Sequence, residues 1–244
     1  MNSPHGAGLA LRVPRTLVII PAHDEAGDIA RVIAEIHEAS NFPVVVVDDA
    51  STDGTAEFAR AAGARVIPLA IQLGAWGATQ AGLRYAQSQN FEYAVTMDAD
   101  GQHEAAALSD LMRPILEGEA DIAIGACIGR GSRLRKLAWA AMKRISGLSP
   151  EDLTSGFRIY DARAIEILAS RQATLLEYQD VGVLFLLQSA GLRIRDIEVN
   201  MPPRQSGISR IFYSWSSVIS YMAYTVLLSF TKRNLGGKVQ GTSD

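Results

Sequence analysis

The sequence predicts an α/β protein of three layers, a mainly parallel Rossmann-like sheet with helices on both faces. Three observations carry that expectation. Short β-branched runs alternate with longer amphipathic stretches from Thr16 onward. The run Val44-Val45-Val46-Val47 is apolar at consecutive positions, as a strand buried on both faces must be. Two of the apolar runs end on acids, at Asp48-Asp49 and at Asp98-Ala99-Asp100. Carboxylates at the ends of buried strands are costly unless something beyond the sheet uses them, and open α/β sheets bind ligands at that edge. A cationic or metal-bridged ligand is therefore expected there.

The elements follow in order. Residues 1–14 read as a flexible lead and lack the apolar stretch of a signal peptide. Thr16 to Ile20 is the first strand, ended by Pro21. Asp24 is placed to N-cap a helix reaching about Ala39, with Ile29, Val32, Ile33 and Ile36 on one face. The second strand is Val44 to Val47, and Ser51-Thr52-Asp53-Gly54 opens another helix. A third strand lies around Ala64 to Ile67, a helix over Gly74 to Gln87 and a fourth strand over Tyr93 to Met97. Glu104 to Leu116 and Asp121 to Ile124 repeat the alternation, which implies a parallel sheet.

After Gly125 the pattern loosens. Arg130, Arg133, Arg135, Lys136, Lys143 and Arg144 make a basic segment, with a helix expected over Leu134 to Ile145. Pro150 to Gly156 has turn chemistry. Helices near Asp161 to Ala169 and Asp180 to Ala190 and a strand near Arg193 to Val199 complete a domain spanning residues 15–210. Residues 211–235 are expected to form an apolar, amphipathic C-terminal helix, membrane-interfacial or packing, and residues 236–244 a disordered tail.

Composition bounds the function. At 244 residues, 48% of them hydrophobic and 20% charged, the chain can bury one sizeable core. A net charge of −3 and a pI near 5.8 give no global pull toward nucleic acid, so any anion site is local. Cys127 is the only cysteine, which excludes an internal disulfide and a thiolate metal cluster. Its apolar surroundings read as a buried, inert thiol in a reducing compartment.

Each acidic motif has two readings alone. Asp98 and Asp100 could turn toward one Mg²⁺ or Mn²⁺, with substrate phosphates and waters completing the coordination, or could cap a turn. Of Asp48 and Asp49, one could cap the helix at Ser51-Thr52-Asp53 while another accepts hydrogen bonds from a base or ribose, as acids do in dinucleotide folds. Gly74-Ala75-Trp76-Gly77 could admit a phosphate at a helix start. A tight loop with close helix packing is the preferred account of those glycines.

Together the segments resemble the family 2 glycosyltransferases, whose fold is termed GT-A. The resemblance rests on Val18-Ile19-Ile20-Pro21-Ala22-His23-Asp24-Glu25, Val47-Asp48-Asp49-Ala50-Ser51-Thr52-Asp53-Gly54-Thr55 and Met97-Asp98-Ala99-Asp100-Gly101-Gln102-His103, in matching order and spacing. Thr154-Ser155-Gly156-Phe157-Arg158 and Arg204-Gln205-Ser206-Gly207-Ile208-Ser209-Arg210 are similar to the branch of dolichyl- and polyprenyl-phosphate sugar synthases.

That resemblance implies an inverting transfer from a nucleoside-diphosphate sugar. Pro21, Ala22, Asp24, Glu25 and Asp49 would line the nucleoside pocket, and Asp98 would face the diphosphate. Asp98, Asp100 and Gln102 would hold Mg²⁺ or Mn²⁺, with Asp100 and Arg204 in catalytic roles. Arg204, Ser209 and Arg210 would close over donor and acceptor phosphates. His23-Asp24 stands where the family usually has Tyr-Asn or Phe-Asn, Gln72 where an Asn is common and Arg210 where a Lys is usual, a change of geometry at constant charge.

The acceptor decides whether a base is needed. A hydroxyl requires one, and Asp152 is the candidate. A lipid phosphate needs cations instead, and Arg130, Arg133 and Arg135 could serve or could line a solvated helix face. The C-terminal stretch favours the lipid. No residue from Ile211 to Thr231 is charged, and six of the seventeen aromatics fall inside it. Ile211, Trp215, Val218, Met222, Val226 and Phe230 recur at helical spacing. Aromatics suit a membrane interface, so the expectation is a peripheral enzyme at the cytoplasmic membrane face. A full span, or packing on the catalytic domain or on a membrane-protein partner, is the alternative.

Three rival classes are weaker. A nucleotidyltransferase would carry a glycine-rich loop after the first strand, where Pro21-Ala22-His23-Asp24-Glu25 has no glycine. A phospho-acceptor switch would have its acidic pair at the first strand and end near ~120 residues, one typical domain. A catalytically dead binding module would not need Asp98, Asp100 and Gln102.

Overall fold

The computed structural model describes residues 14–127, 155–174 and 181–200. Among these residues seven strands form one sheet in the order β3-β2-β1-β4-β6-β5-β7. They are β1 (Thr16–Ala22), β2 (Val44–Asp48), β3 (Arg65–Pro68), β4 (Tyr93–Thr96), β5 (Ile122–Ala126), β6 (Arg158–Asp161) and β7 (Ile194–Glu198). The helices among the described residues are α1 (Ile29–Ala39), α2 (Thr55–Ala61), α3 (Gly74–Ser88), α4 (Leu108–Leu116, preceded by a 3₁₀ turn at Ala105–Ala107), α5 (Ala162–Ala169), α6 (Arg171–Thr174) and α7 (Val181–Ser189).

The expected layers follow from the period of the strands. Leu17, Ile19, Val45 and Val47 face one side and pack with Trp76, Leu83, Ile165, Leu168 and Leu187 of α3, α5 and α7. Val18, Ile20, Val44 and Val46 face the other and pack with Ile29, Ile33, Ile36, Leu111 and Ile115 of α1 and α4. Consecutive valines of β2 thus serve two separate cores, which is why the run shows no alternation.

β6 departs from the expectation. It runs antiparallel between β4 and β5, pairing Thr96 with Arg158 and Ile124 with Arg158, while every other pairing is parallel. No strand was expected at Arg158–Asp161, because four residues beginning with an arginine carry no strand period. The fold tolerates that arginine fully buried.

Two boundaries are corrected as well. Pro21 lies inside β1, not at its end. Ile19 accepts from Met97 N on the β4 side, and Pro21, two residues on, faces the same side after β4 has stopped, so its missing N–H costs no ladder bond. Asp24 does not cap α1, which starts at Ile29. Its backbone is left-handed, with φ of 53°, and its carboxylate accepts from Thr52 N, 28 residues away, at 2.9 Å. The helix expected over Leu134 to Ile145 and the C-terminal helix lie outside the described residues.

Candidate active site

The chain reverses direction across the sheet between β1 and β4, since β2 and β3 lie to one side of β1 and β4 lies to the other. Ligand crevices of open α/β sheets form at such a switch point, beyond the carboxyl ends of the strands. β1 and β4 stop pairing at Ile19 and Thr96. Beyond that point β1 delivers Pro21, Ala22, His23, Asp24 and Glu25 to one flank, and β4 delivers Asp98, Asp100 and Gln102 to the other.

The β1 flank is stitched to the loop after β2. Asp24 N donates to Ser51 Oγ at 3.0 Å, Glu25 N to Thr55 Oγ1 at 2.8 Å, and Ala26 N to Asp53 Oδ2 at 3.0 Å. His23 Nδ1 lies 2.8 Å from the Asp49 carbonyl oxygen, so Nδ1 carries the proton. Partial burial pushes the Asp53 carboxyl up, but hydrogen bonds from Thr55 and Ala26 leave it below its ordinary range. The two loops therefore form one rim.

Asp48 and Asp49 divide the roles that the sequence left open. Asp48 Oδ1 accepts from Ser51 N at 3.2 Å and supports the turn. Asp49, only 3% exposed, accepts from Leu73 N at 2.6 Å and Gly74 N at 2.9 Å, and so holds the start of α3. Those amides are the ones a phosphate at this helix start would need, which favours the tight-loop account of Gly74 and Gly77. A Cβ at Gly77 would press on Leu73.

On the β4 flank, the turn after Asp100 uses Gly101 at φ of 73°, with Gln102 N donating to Asp100 Oδ1 at 3.0 Å. Arg31 of α1 packs its guanidinium against Gly101, where a Cβ would collide with it, and is held by Asp28 at 2.7 Å and Glu35 at 2.8 Å. The side chain of Asp98 is 45% exposed. Antiparallel β6 brings Ser155, Gly156 and Phe157 to the same edge, and a Cβ at Gly156 would run into the Asp98 carboxylate.

The donor set of Asp98, Asp100 and Gln102 is all oxygen, which suits a hard divalent cation. No group of three or more His, Cys, Asp or Glu that could hold a metal occurs among the described residues. Such a site fits an ion whose remaining ligands come from substrate phosphates and water.

Pro21, Ala22, Asp24, Glu25, Asp49, Asp98, Asp100 and Gln102 all lie at or just beyond the carboxyl ends of β1, β2 and β4. Asp152, Arg204, Arg130, Arg133, Ser209 and Arg210 lie outside the described residues. Sequence reasoning gave no role to His103, which is 4% exposed and touches Asp98 at two points. Its position five residues behind an acid at a strand end was the available signal.

The Micrococcus luteus protein "Undecaprenyl-phosphate mannosyltransferase" is 30% identical over 216 residues, covering 81% of this chain and 87% of its own. "Polyprenol monophosphomannose synthase" of Mycolicibacterium smegmatis is 27% identical over 215 residues, 81% of each chain. Among solved structures, glucosyl-3-phosphoglycerate synthase from Mycobacterium tuberculosis, crystallised with Mn²⁺, uridine diphosphate and glucosyl-3-phosphoglycerate, superposes with a TM-score of 0.66. Its identity is 21%, and the match covers 90% of this chain and 80% of that one. The fold is thus that of the GT-A enzymes, and, with residues 17–168 matching Glycosyl transferase family 2, the chain belongs to that family of glycosyltransferases.

Proposed function

We propose that the protein moves a sugar from a nucleoside-diphosphate sugar to a polyprenyl phosphate, with inversion at the anomeric carbon and with Mg²⁺ or Mn²⁺ bound. The observation that carries the reading is the pair Asp98 and Asp100, at the switch-point crevice of the sheet. The acceptor class is supported by the two relatives named above, whose matches run over 81% of this chain. The donor and metal are supported by a solved glycosyltransferase of the same fold that holds Mn²⁺ and uridine diphosphate.

In this reading Asp98, Asp100 and Gln102 hold the cation beside the diphosphate. When bound, the cation offsets the charge that grows on the departing diphosphate. Asp24 and Glu25 border the nucleoside with Pro21 and Ala22. Asp49 uses two of its roughly four lone-pair sites on α3 and keeps others for a ribose hydroxyl. Arg204 follows on the leaving group, and Arg130, Arg133, Ser209 and Arg210 position the acceptor phosphate.

A phosphate acceptor brings an anionic oxygen that needs no base. Asp152 gains a catalytic role only if the acceptor is a hydroxyl. Such an acceptor lies at the inner membrane face, where the protein is peripheral. No helix among the described residues is long and apolar enough to cross a membrane.

The test supplies radiolabelled UDP- and GDP-hexoses with undecaprenyl phosphate, in Mn²⁺ or in EDTA. Label extracted into organic solvent, in Mn²⁺ only, is the expected result, and Asp100→Ala abolishes it. Equal product in EDTA removes the metal from the reaction. No lipid-linked label with any donor sinks the acceptor assignment.

A further inference from the structure

Behind the acidic pair, one buried ring meets Asp98 at both of its polar ends. Asp98 N donates to His103 Nδ1 at 3.0 Å. A nitrogen that accepts from an amide carries no proton, so the proton of the neutral ring sits on Nε2. That end lies 3.5 Å from Asp98 Oδ2. The ring itself is fixed by stacking on Phe157, with centroids 5.1 Å apart and planes 17° from parallel. Phe157 stands just ahead of β6, and the preceding Gly156 lies against the carboxylate, where no Cβ fits. Thr96 Oγ1 donates to Gly156 O at 2.7 Å and locks the two strands at this level.

We propose that His103 is a positioning residue for the cation site, fixing Asp98 so that its exposed carboxylate meets a divalent ion already oriented. The proposal rests on the reading of Asp98 as a ligand. A carboxylate at a strand end loses side-chain freedom when it binds an ion, and here much of that ordering is built in. Groups that orient a ligand from behind typically change metal affinity 10–100-fold when removed. The arrangement also gives Ser155-Gly156-Phe157 a purpose: glycine makes room for Asp98, and the aromatic ring holds His103.

The test measures Mn²⁺ binding to the metal-free full-length protein by electron paramagnetic resonance, with folding checked by circular dichroism. His103→Phe keeps the stack and loses both polar ends. It is expected to weaken Mn²⁺ binding by about tenfold or more. His103→Asn, whose Oδ1 can accept from the same amide, regains most of that loss. In the unsubstituted, metal-free protein, ¹⁵N shifts of His103 should report an unprotonated Nδ1 and a protonated Nε2, a readout that survives even if His103→Phe fails to fold.

Folded His103→Phe binding Mn²⁺ as tightly as the parent overturns the proposal. So does a folded His103→Asn as weak as His103→Phe, or the opposite tautomer. Asp98→Asn separates the two levels. If it binds Mn²⁺ unchanged, the ligand reading itself falls; if it loses binding while His103→Phe does not, only the positioning role falls.

Discussion

At Asp49 both carboxylate oxygens accept from main-chain amides, those of Leu73 and Gly74, so deleting the side chain strands two donors at the start of α3. Asp49→Ala is predicted to lower the unfolding free energy by about 1–3 kcal/mol, the usual worth of hydrogen bonds to a charged acceptor. Asp49→Asn should lose less, because its amide oxygen still accepts. Urea denaturation with an unchanged slope would check both. A stability equal to the parent's would mean that water replaces the carboxylate. The acid was visible in the sequence as a strand end, but its partners stand 24 and 25 residues away, beyond the reach of any local pattern. Asp24 shows the same limit. Local capping rules assigned it to α1, whereas its carboxylate serves Thr52 across the rim.

Among the elements, α3 is tied to α5 and α6 through one face. Trp76, Gln80 and Arg84, at successive four-residue steps, donate to the carbonyls of Ala173, Leu168, Ser170 and Ala169. The carbonyls of Leu168, Ala169 and Ala173 lie in the last turns of α5 and α6, where helices leave carbonyls without an internal partner, whereas Ser170 O stands at the start of α6 and also accepts from Thr174 Oγ1. Gln80→Leu keeps the volume but leaves two of them without that donor, and should cost roughly 1–3 kcal/mol in a thermal or urea melt.

A second tie joins β5 to β7. Asp121 accepts from Arg193 N at 2.7 Å, from its Nη2 at 2.8 Å and from its Nε at 3.2 Å. The hydrogen bonds from the Arg193 side chain hold the Asp121 carboxyl below its ordinary range. A depressed folded value means stability that is present at neutral pH and lost as pH falls through that value. Asp161, which caps α5 through Ala164 N at 2.7 Å, is pushed up by burial and acts with the opposite sign. The predicted signature is a melting-temperature gap between Asp121→Asn and the parent at pH 7 that narrows below about pH 4. A gap of constant size would remove the ion pair as its source.

The long, periodic elements were legible: the parallel order around β1 and β2, α1, α3 and α4 all follow from apolar spacing. β6 was not, because a four-residue strand buried between neighbours is defined by them and not by its own pattern. Its entry at the ligand edge is what joins Gly156 and Phe157 to Asp98 and His103.

For the whole molecule, the lipid-phosphate acceptor proposed above would require the chain to meet a membrane, and the uncharged stretch Ile211 to Thr231, followed by Lys232 and Arg233, bears on it. Its six aromatics and its serines suit the headgroup boundary better than the bilayer centre. The family match ends at residue 168 and β7 at Glu198, so deleting residues 211–244 spares every described strand of the sheet. The truncated protein is predicted to keep a cooperative thermal melt, to lose only the helical ellipticity of the deleted stretch, and to lose sedimentation with phosphatidylglycerol-containing vesicles.

Salt separates the two forces that could hold the full chain to the membrane. Attraction of Lys232 and Arg233 to anionic lipid is screened within a Debye length of about 3 Å at 1 M salt, whereas apolar insertion is not. Binding that persists in 1 M salt assigns the contact to the apolar and aromatic residues of that stretch. Release by salt assigns it to the cations, and a truncated protein that still sediments moves the contact to another part of the chain.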